Sequence, residues 1–266
     1  MRVEQVTSAQ NPKIRALLQL QEKSRARREQ GLFVVEGRRE LEHCLEAGFT
    51  LRTLYVCPEL LRTPLPSLDC LCIELPEALY RKVAYRESTE GVIAVAEVRE
   101  RRLDDLQLSE NPLLVILESV EKPGNLGAVL RSADAARADA VILCDPLTDL
   151  YNPNLIRASL GGIFTVPTVC APSAETIAWL RRRGIRILTA QLQDSSWYYD
   201  VDMTAGTALV MGTESTGLTD IWREAADAHI RIPMLGRLDS LNVSVSAAIL
   251  LFEAVRQRNT SPTRSI

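Results

Sequence analysis

Between residues 113 and 234 the chain carries six short apolar runs: LLVIL (113–117), AVILC (140–144), FTVPTVC (164–170), IRILTA (185–190), ALVMG (208–212) and IRIPM (230–234). Most are apolar nearly throughout, so neither face of such a strand can look onto water. Stretches at 125–137, 153–160, 174–183, 218–226 and 242–258 separate them, with apolar spacing that suits helices. Doubly buried strands alternating with helices predict a parallel sheet covered on both faces. Ligands of such sheets sit beyond the carboxyl ends of the strands. Chemistry is therefore expected in the loops that follow Leu117, Cys144, Ala190, Gly212 and Met234.

The first hundred residues alternate on a smaller scale. FVVEG (33–37), LRTLYVC (51–57), residues 70–75 and residues 92–98 read as strands, and RRELEHCLEAG (38–48) as a helix closed by Gly48. This predicts a small α/β/α domain over 1–98. The charged stretch within 99–111 reads as a linker, 112–258 as the second domain, and 259–266 as a disordered tail. Residues 13–39 hold eight lysines and arginines against three glutamates. Such a run serves equally well as a solvated helix face or as a surface for phosphates.

Composition removes several classes of function. With 46% hydrophobic residues the chain can build a sizeable core. A formal net charge of −3 gives it no general attraction for nucleic acid, so any such role rests on a local patch. No run approaches the ~20 apolar residues of a membrane span, and the opening MRVEQVTSAQ has no signal core. Six cysteines without a CxxC pair predict reduced thiols and a cytoplasmic location. With two histidines, His43 and His229, both read as structural, no metal site is expected and any proton transfer must use other groups.

The three loops of interest carry distinct signals. After LLVIL comes ESVEKPGNLGAVLRSADAA (118–136), which is neither GxGxxG nor GxxxxGK[ST], so nicotinamide, flavin and P-loop readings fall away. Asn125 there can cap a helix, and Arg131 lies under two turns further on. After ALVMG comes Thr213-Glu214-Ser215-Thr216-Gly217-Leu218, a carboxylate between two glycines. After IRIPM comes SLNVS, more small polar residues than one helix cap requires.

Together these segments resemble the SpoU/TrmH family of RNA ribose 2′-O-methyltransferases, of the knotted SPOUT class. The residues that carry the likeness are Asn125-Leu-Gly127-Ala-Val-Leu-Arg131, Gly212-Thr-Glu214-Ser-Thr-Gly217-Leu218 and Ile232-Pro-Met-Leu-Gly236-Arg-Leu-Asp-Ser240-Leu-Asn242-Val-Ser244. Asn11-Pro-Lys-Ile-Arg15 and Phe33-Val-Val-Glu-Gly37 are similar to the RNA-binding domain attached to many members. Two positions depart from the family pattern: Ala138 where a glycine is usual before the next strand, and Thr165 where arginine is frequent.

The resemblance implies an α/β protein whose C-terminal parallel-sheet domain has a deep trefoil knot. A small ribosomal-protein L30e-like α/β/α domain precedes it. It implies S-adenosylmethionine as cofactor, held by Gly212, Ile232 and Leu241, with catalysis by Asn125, Arg131, Glu214, Ser240 and Asn242 and no metal. It further implies a homodimer through the C-terminal domain and an RNA substrate, ribosomal RNA before transfer RNA. A non-catalytic RNA-binding protein on the same fold is the alternative from another class.

Overall fold

The computed structural model describes residues 2–66, 68–86, 90–213 and 215–259. Its contacts divide the chain into two units, Met1–Arg99 with Asp149–Thr165, and Glu100–Thr148 with Val166–Ile266.

The first unit begins with β1 (Arg2–Gln5), α1 (Pro12–Glu22) and α2 (Ser24–Gln30). β2 (Leu32–Glu36), α3 (Arg38–Glu46), β3 (Leu51–Val56), β4 (Leu71–Glu74), α4 (Glu77–Val83) and β5 (Val92–Glu97) follow. The sheet order is β1-β4-β3-β5-β2. β1, β4 and β3 run parallel, while β5 is antiparallel to both β3 and β2. α1 starts where Asn11 Oδ1 accepts the Lys13 N–H at 2.9 Å and Pro12 takes the first helical position. Its apolar stripe of Ile14, Leu17 and Leu20 packs into a core with Val34, Tyr55 and Ile93. β1 was not anticipated, because RVEQ holds too few apolar residues to show a pattern.

The second unit holds β6 (Leu113–Glu118), α5 (Pro123–Ala135) and β7 (Ala140–Cys144). The chain then forms α6 (Pro153–Ser159) and α7 (Gly162–Thr165), which belong to the first unit. It resumes with β8 (Thr168–Ala171), α8 (Ser173–Arg182), β9 (Arg186–Ala190) and β10 (Ser196–Trp197). β11 (Thr207–Met211), α9 (Asp220–Ala225), β12 (Ala228–Arg231) and α10 (Val243–Asn259) complete it. The order is β10-β12-β9-β11-β6-β7-β8, and every pairing is parallel. All residues of β6, β7 and β11 are buried, as their unbroken apolar runs require. On one face Leu114, Ile116, Ala208 and Val210 pack with Trp179 of α8 and Trp222 of α9. The other face carries α10, which touches β6, β11 and α5. The last turn of α10 is held by Arg258, whose guanidinium donates to the carbonyls of Met203 (2.9 Å), Asn111 (2.8 Å) and Ala205 (2.8 Å).

Several boundaries differ from expectation for identifiable reasons. Residues 164–167 do not extend β8, because α7 runs to Thr165 and Pro167 has no N–H for a ladder. Pro233 likewise ends β12 early, leaving Ile232–Met234 irregular. After α5 the left-handed turn is made by Arg137, with φ of 51°, rather than by Ala138, which is buried. The charged stretch expected as a linker is itself packed: Leu103 and Leu106 enter the second unit's core, and Trp179 Nε1 donates to Asp104 at 3.1 Å. Asn259 is helical, and residues 260–266 of the expected tail lie outside the described residues. Burial pushes the Cys44 and Cys144 thiols up to about 12, which keeps both protonated near neutral pH.

Residues 149–165 join the first unit through the far face of β2. Phe33 stacks on Tyr151 at a centroid distance of 4.3 Å and meets Phe164 at 6.0 Å. Arg27 is 3% exposed, donates to Asp149 at 2.6 Å and also to the Gln21 carbonyl at 3.1 Å. This buried cation is thereby removed from the run considered for phosphate contact. Lys13 pairs with Glu4, Arg25 with Glu29 at 2.7 Å, and Arg38 with Glu42 at 2.8 Å. Lys23 and Arg28 are exposed and have no ion pair among the described residues. Arg27→Ala leaves Asp149 part-buried without its cation. The expected loss is about 3–5 kcal/mol in urea unfolding, with much of it recovered in the double variant Arg27→Met/Asp149→Leu.

Candidate functional site

The parallel ladder between β6 and β11 ends at Met211 opposite Leu117. The loops that follow, one starting at Glu118–Ser119 and the other at Gly212, therefore leave the sheet side by side. β9 and β12 end beside them at Ala190 and Arg231. Four strand ends thus deliver four loops to one place, as expected of an open parallel sheet.

The loop after β11 folds back on itself. Thr213 and Gly217 form an isolated antiparallel bridge, with the Gly217 N–H donating to the Thr213 carbonyl at 3.1 Å. Gly212 faces the same turn so closely that a Cβ there would lie 2.2 Å from the Gly217 carbonyl oxygen. Gly217 itself has φ of 68°, a conformation that suits glycine. The two glycines are thus required by each other. Glu214, between them, lies outside the described residues.

The residues that lead into α10 divide their work. Asn242 is the helix cap: its Oδ1 accepts the Ser244 N–H at 3.0 Å and the Ser244 hydroxyl at 2.6 Å. Its Nδ2 donates to Asn125 Oδ1 at 3.1 Å, across 117 residues of sequence. Ser240 donates to Asp239 Oδ1 at 3.1 Å. Asn125 does not stand at a helix cap, since it is the third residue of α5 and Lys122 holds the cap position. Its side chain instead ties the first motif to the third. Arg131 lies further along α5, exposed and without an ion pair among the described residues.

Between the loops lies a cavity of about 350 Å³. Gly212, Ile232, Leu241 and Ser240 all line it, so two of the three segments of the sequence reading converge. Asn125, Arg131 and Asn242 are not among the lining residues. Sequence reasoning flagged the loop after Ala190 without naming its residues. Gln191, Gln193 and Arg231 line the cavity, and only the strand-end rule could have pointed to them; Arg223 of α9 lines it too, with no signal in the sequence. Gln191 Oε1, Arg223 Nε and Arg231 Nε are buried there without a hydrogen-bond partner among the described residues. One orphaned acceptor and two orphaned donors in a cavity of this size suit a polar small molecule with both kinds of group. Among the described residues no group of three or more metal-ligating side chains occurs, and no helix is long and apolar enough to cross a membrane.

A doubly covered parallel sheet with a ligand cavity at its carboxyl edge defines a small-molecule-binding α/β domain. Residues 112–252 match the SpoU rRNA methylase family, and residues 11–94 match the MRM3-like substrate-binding domain. The 23S rRNA (uridine(2479)-2′-O)-methyltransferase of Streptomyces viridochromogenes is 33% identical over 248 residues, covering 88% of this chain and 85% of that one. A solved RNA 2′-O ribose methyltransferase is 38% identical, with a TM-score of 0.82 over 96% of this chain and all of the other. The AdoMet-bound rRNA methyltransferase of Sinorhizobium meliloti is 30% identical, with a TM-score of 0.87 over 96% of this chain and 98% of that one. The chain belongs to the SpoU rRNA methylase family and is an RNA ribose 2′-O-methyltransferase.

Gly212→Ala tests the cavity directly. A methyl group against the Gly217 carbonyl must push the loop open. Calorimetry should then show binding of AdoMet, the ligand of the Sinorhizobium relative, weakened at least about tenfold, or about 1.4 kcal/mol, in a variant whose circular dichroism is unchanged.

Proposed function

We propose that the chain uses S-adenosylmethionine to methylate a ribose 2′-hydroxyl of ribosomal RNA. The observation that carries this reading is the single cavity lined by Gly212, Ile232 and Leu241. When bound there, the cofactor supplies an electrophilic methyl group on a sulfonium. Gly212 and the backbone around Ile232 and Leu241 let the chain pass close to the adenine, and the orphaned Gln191, Arg223 and Arg231 atoms meet its polar groups. Small residues from Ile232 to Ser246 fit a backbone threaded as a trefoil knot.

The chain's own residues then have to present the hydroxyl and manage its charge. Arg131 is exposed and has no ion pair among the described residues, which suits a guanidinium that binds the substrate phosphate and stabilises the developing oxyanion. It is not assigned as the proton acceptor, because a guanidinium stays protonated in proteins. Asn125 and Asn242, bonded to each other, hold the start of α5 against the start of α10, so the arginine's helix is fixed relative to the cavity. Ser240 lines the cavity, and in this reading Ser240 and Glu214 orient the substrate or Arg131. Positioning of this kind supplies much of a bimolecular displacement.

The first domain, L30e-like over 1–98, is the RNA-binding part in this reading, with exposed Lys23 and Arg28 as phosphate contacts. Residues 99–111 connect it to the methyltransferase domain at 112–258. Ribosomal RNA is preferred to transfer RNA because the relative from Streptomyces acts on 23S rRNA, and a cytoplasmic location goes with that substrate.

Arg131→Ala should cut methyl transfer about a hundredfold or more while cofactor affinity stays within about twofold. Arg131→Lys should remain poor, since lysine lacks the planar fork. A lysine variant with near wild-type turnover rules out the assignment.

A homodimer through α10 completes the proposal. Its buried residues Val243, Ala247, Leu250, Leu251 and Ala254 face the sheet and α5. Val245 and Phe252 remain 46% and 48% exposed, more apolar surface than the outer face of a surface helix needs. A two-fold partner using the same patch covers it most simply. Light scattering should give twice the chain mass of 29.6 kDa, and Phe252→Glu should halve that value.

A further inference from the structure

We propose that Glu118 is a positioning residue for the cofactor loop, acting through Thr219; the inference rests on the reading of the cavity as the cofactor site. Glu118 is the last residue of β6 and 3% exposed. The β6–β11 ladder stops one residue earlier, at Leu117 and Met211. From there the two backbones separate, and the Glu118 side chain replaces the ladder. Its Oε2 accepts the Thr219 N–H at 2.8 Å and its Oε1 accepts the Thr219 hydroxyl at 2.5 Å. Residues 212–219 are thereby closed at both ends, by the sheet at Met211 and by one carboxylate at Thr219. Thr213, Gly217 and Leu218 from inside this closed segment all line the cavity.

Two features argue that the clamp serves the loop rather than the local helix. Thr219 occupies the cap position of α9, where a threonine hydroxyl ordinarily accepts a helix N–H. It makes no such bond here, and its hydroxyl is directed at Glu118, to which it donates. A polar cluster also adjoins the carboxylate. The Ser173 hydroxyl lies 3.5 Å from Glu118 Oε1 and 2.7 Å from Asp145 Oδ2, and it receives Trp222 Nε1 at 3.1 Å. Trp222 belongs to α9, so the same polar cluster fixes the helix that follows the loop. A carboxylate is the group that suits the place, since two donors from Thr219 approach two different oxygens. An amide presents one acceptor oxygen, so the Thr219 hydroxyl would have to reverse and accept from its NH₂, giving up the charge-assisted bond. Leu218, just before the clamp, is buried, so the loop is anchored by an apolar side chain and a carboxylate in succession.

The test uses the full-length chain with Glu118→Gln, Thr219→Val and Thr219→Ser. Thr219→Val removes the hydroxyl without removing the buried carboxylate, so it serves if Glu118→Gln fails to fold. Both disruptive variants should raise Kd and KM for S-adenosylmethionine about tenfold or more, near the value of one such bond. KM for RNA should stay within about twofold, and Thr219→Ser should restore cofactor affinity. Amide hydrogen exchange without any ligand should speed up across 215–219 and stay unchanged across β11. A folded variant with wild-type cofactor affinity overturns the proposal, as does unchanged exchange at Thr219. If the wild-type chain itself binds no S-adenosylmethionine, the cofactor reading fails. The proposal for this residue falls with it, whereas the exchange data still decide whether the carboxylate holds the loop.

Discussion

The register of one parallel ladder sets the geometry of the whole site. With Met211 opposite Leu117, the polypeptide leaves β6 and β11 at the same height, and the two loops must share one exit. Had β11 paired two residues further along, side chains would still face the right way, but Gly212 would remain inside the sheet. The neighbouring pairings of β9 and β12 extend the same edge, which is why residues near 190, 212 and 232 meet around one cavity. Close approach then replaces side-chain chemistry at the hinge of that edge, where Gly212 and Gly217 leave no room for a methyl group.

Much of this architecture was legible because burial on both faces leaves an unmistakable pattern. LLVIL, AVILC and ALVMG were read as strands and became β6, β7 and β11 almost residue for residue. Marginal segments were not legible. RVEQ and the two residues of β10 pair at sheet edges, where tertiary contact and not composition makes a strand. FTVPTVC misled because its single proline and small residues fit a helical turn followed by a shorter strand equally well.

The site divides in the same way. Gly212, Ile232, Leu241 and Ser240 were expected together and do line one cavity. Asn125 could have been a cap as well as a site residue, yet the cap position belongs to Lys122 and the Asn125 side chain reaches Asn242. A cap is a local inference from neighbours in sequence, whereas this hydrogen bond spans two motifs that only the fold brings together. The arginines show the limit of charge counting. Arg27 and Arg28 are adjacent in a basic run, but one is buried against Asp149 and the other is exposed. Helix periodicity on α2, not net charge, decides which of them is available to a phosphate.

The return of residues 149–165 to the first unit has a consequence for how the protein is made. On the ribosome, residues 1–99 emerge first, yet Phe33 and Arg27 lack Tyr151, Phe164 and Asp149 until the chain has grown to residue 165. Domains tend to fold in the order of synthesis, and contacts this distant in sequence slow the process. The five strands of the amino-terminal sheet are all made by then, so what waits while β6, α5 and β7 are translated is the cover over Phe33 and the carboxylate for Arg27. The nascent protein thus passes through a stage in which the first unit lacks the stretch between β7 and β8 that completes it.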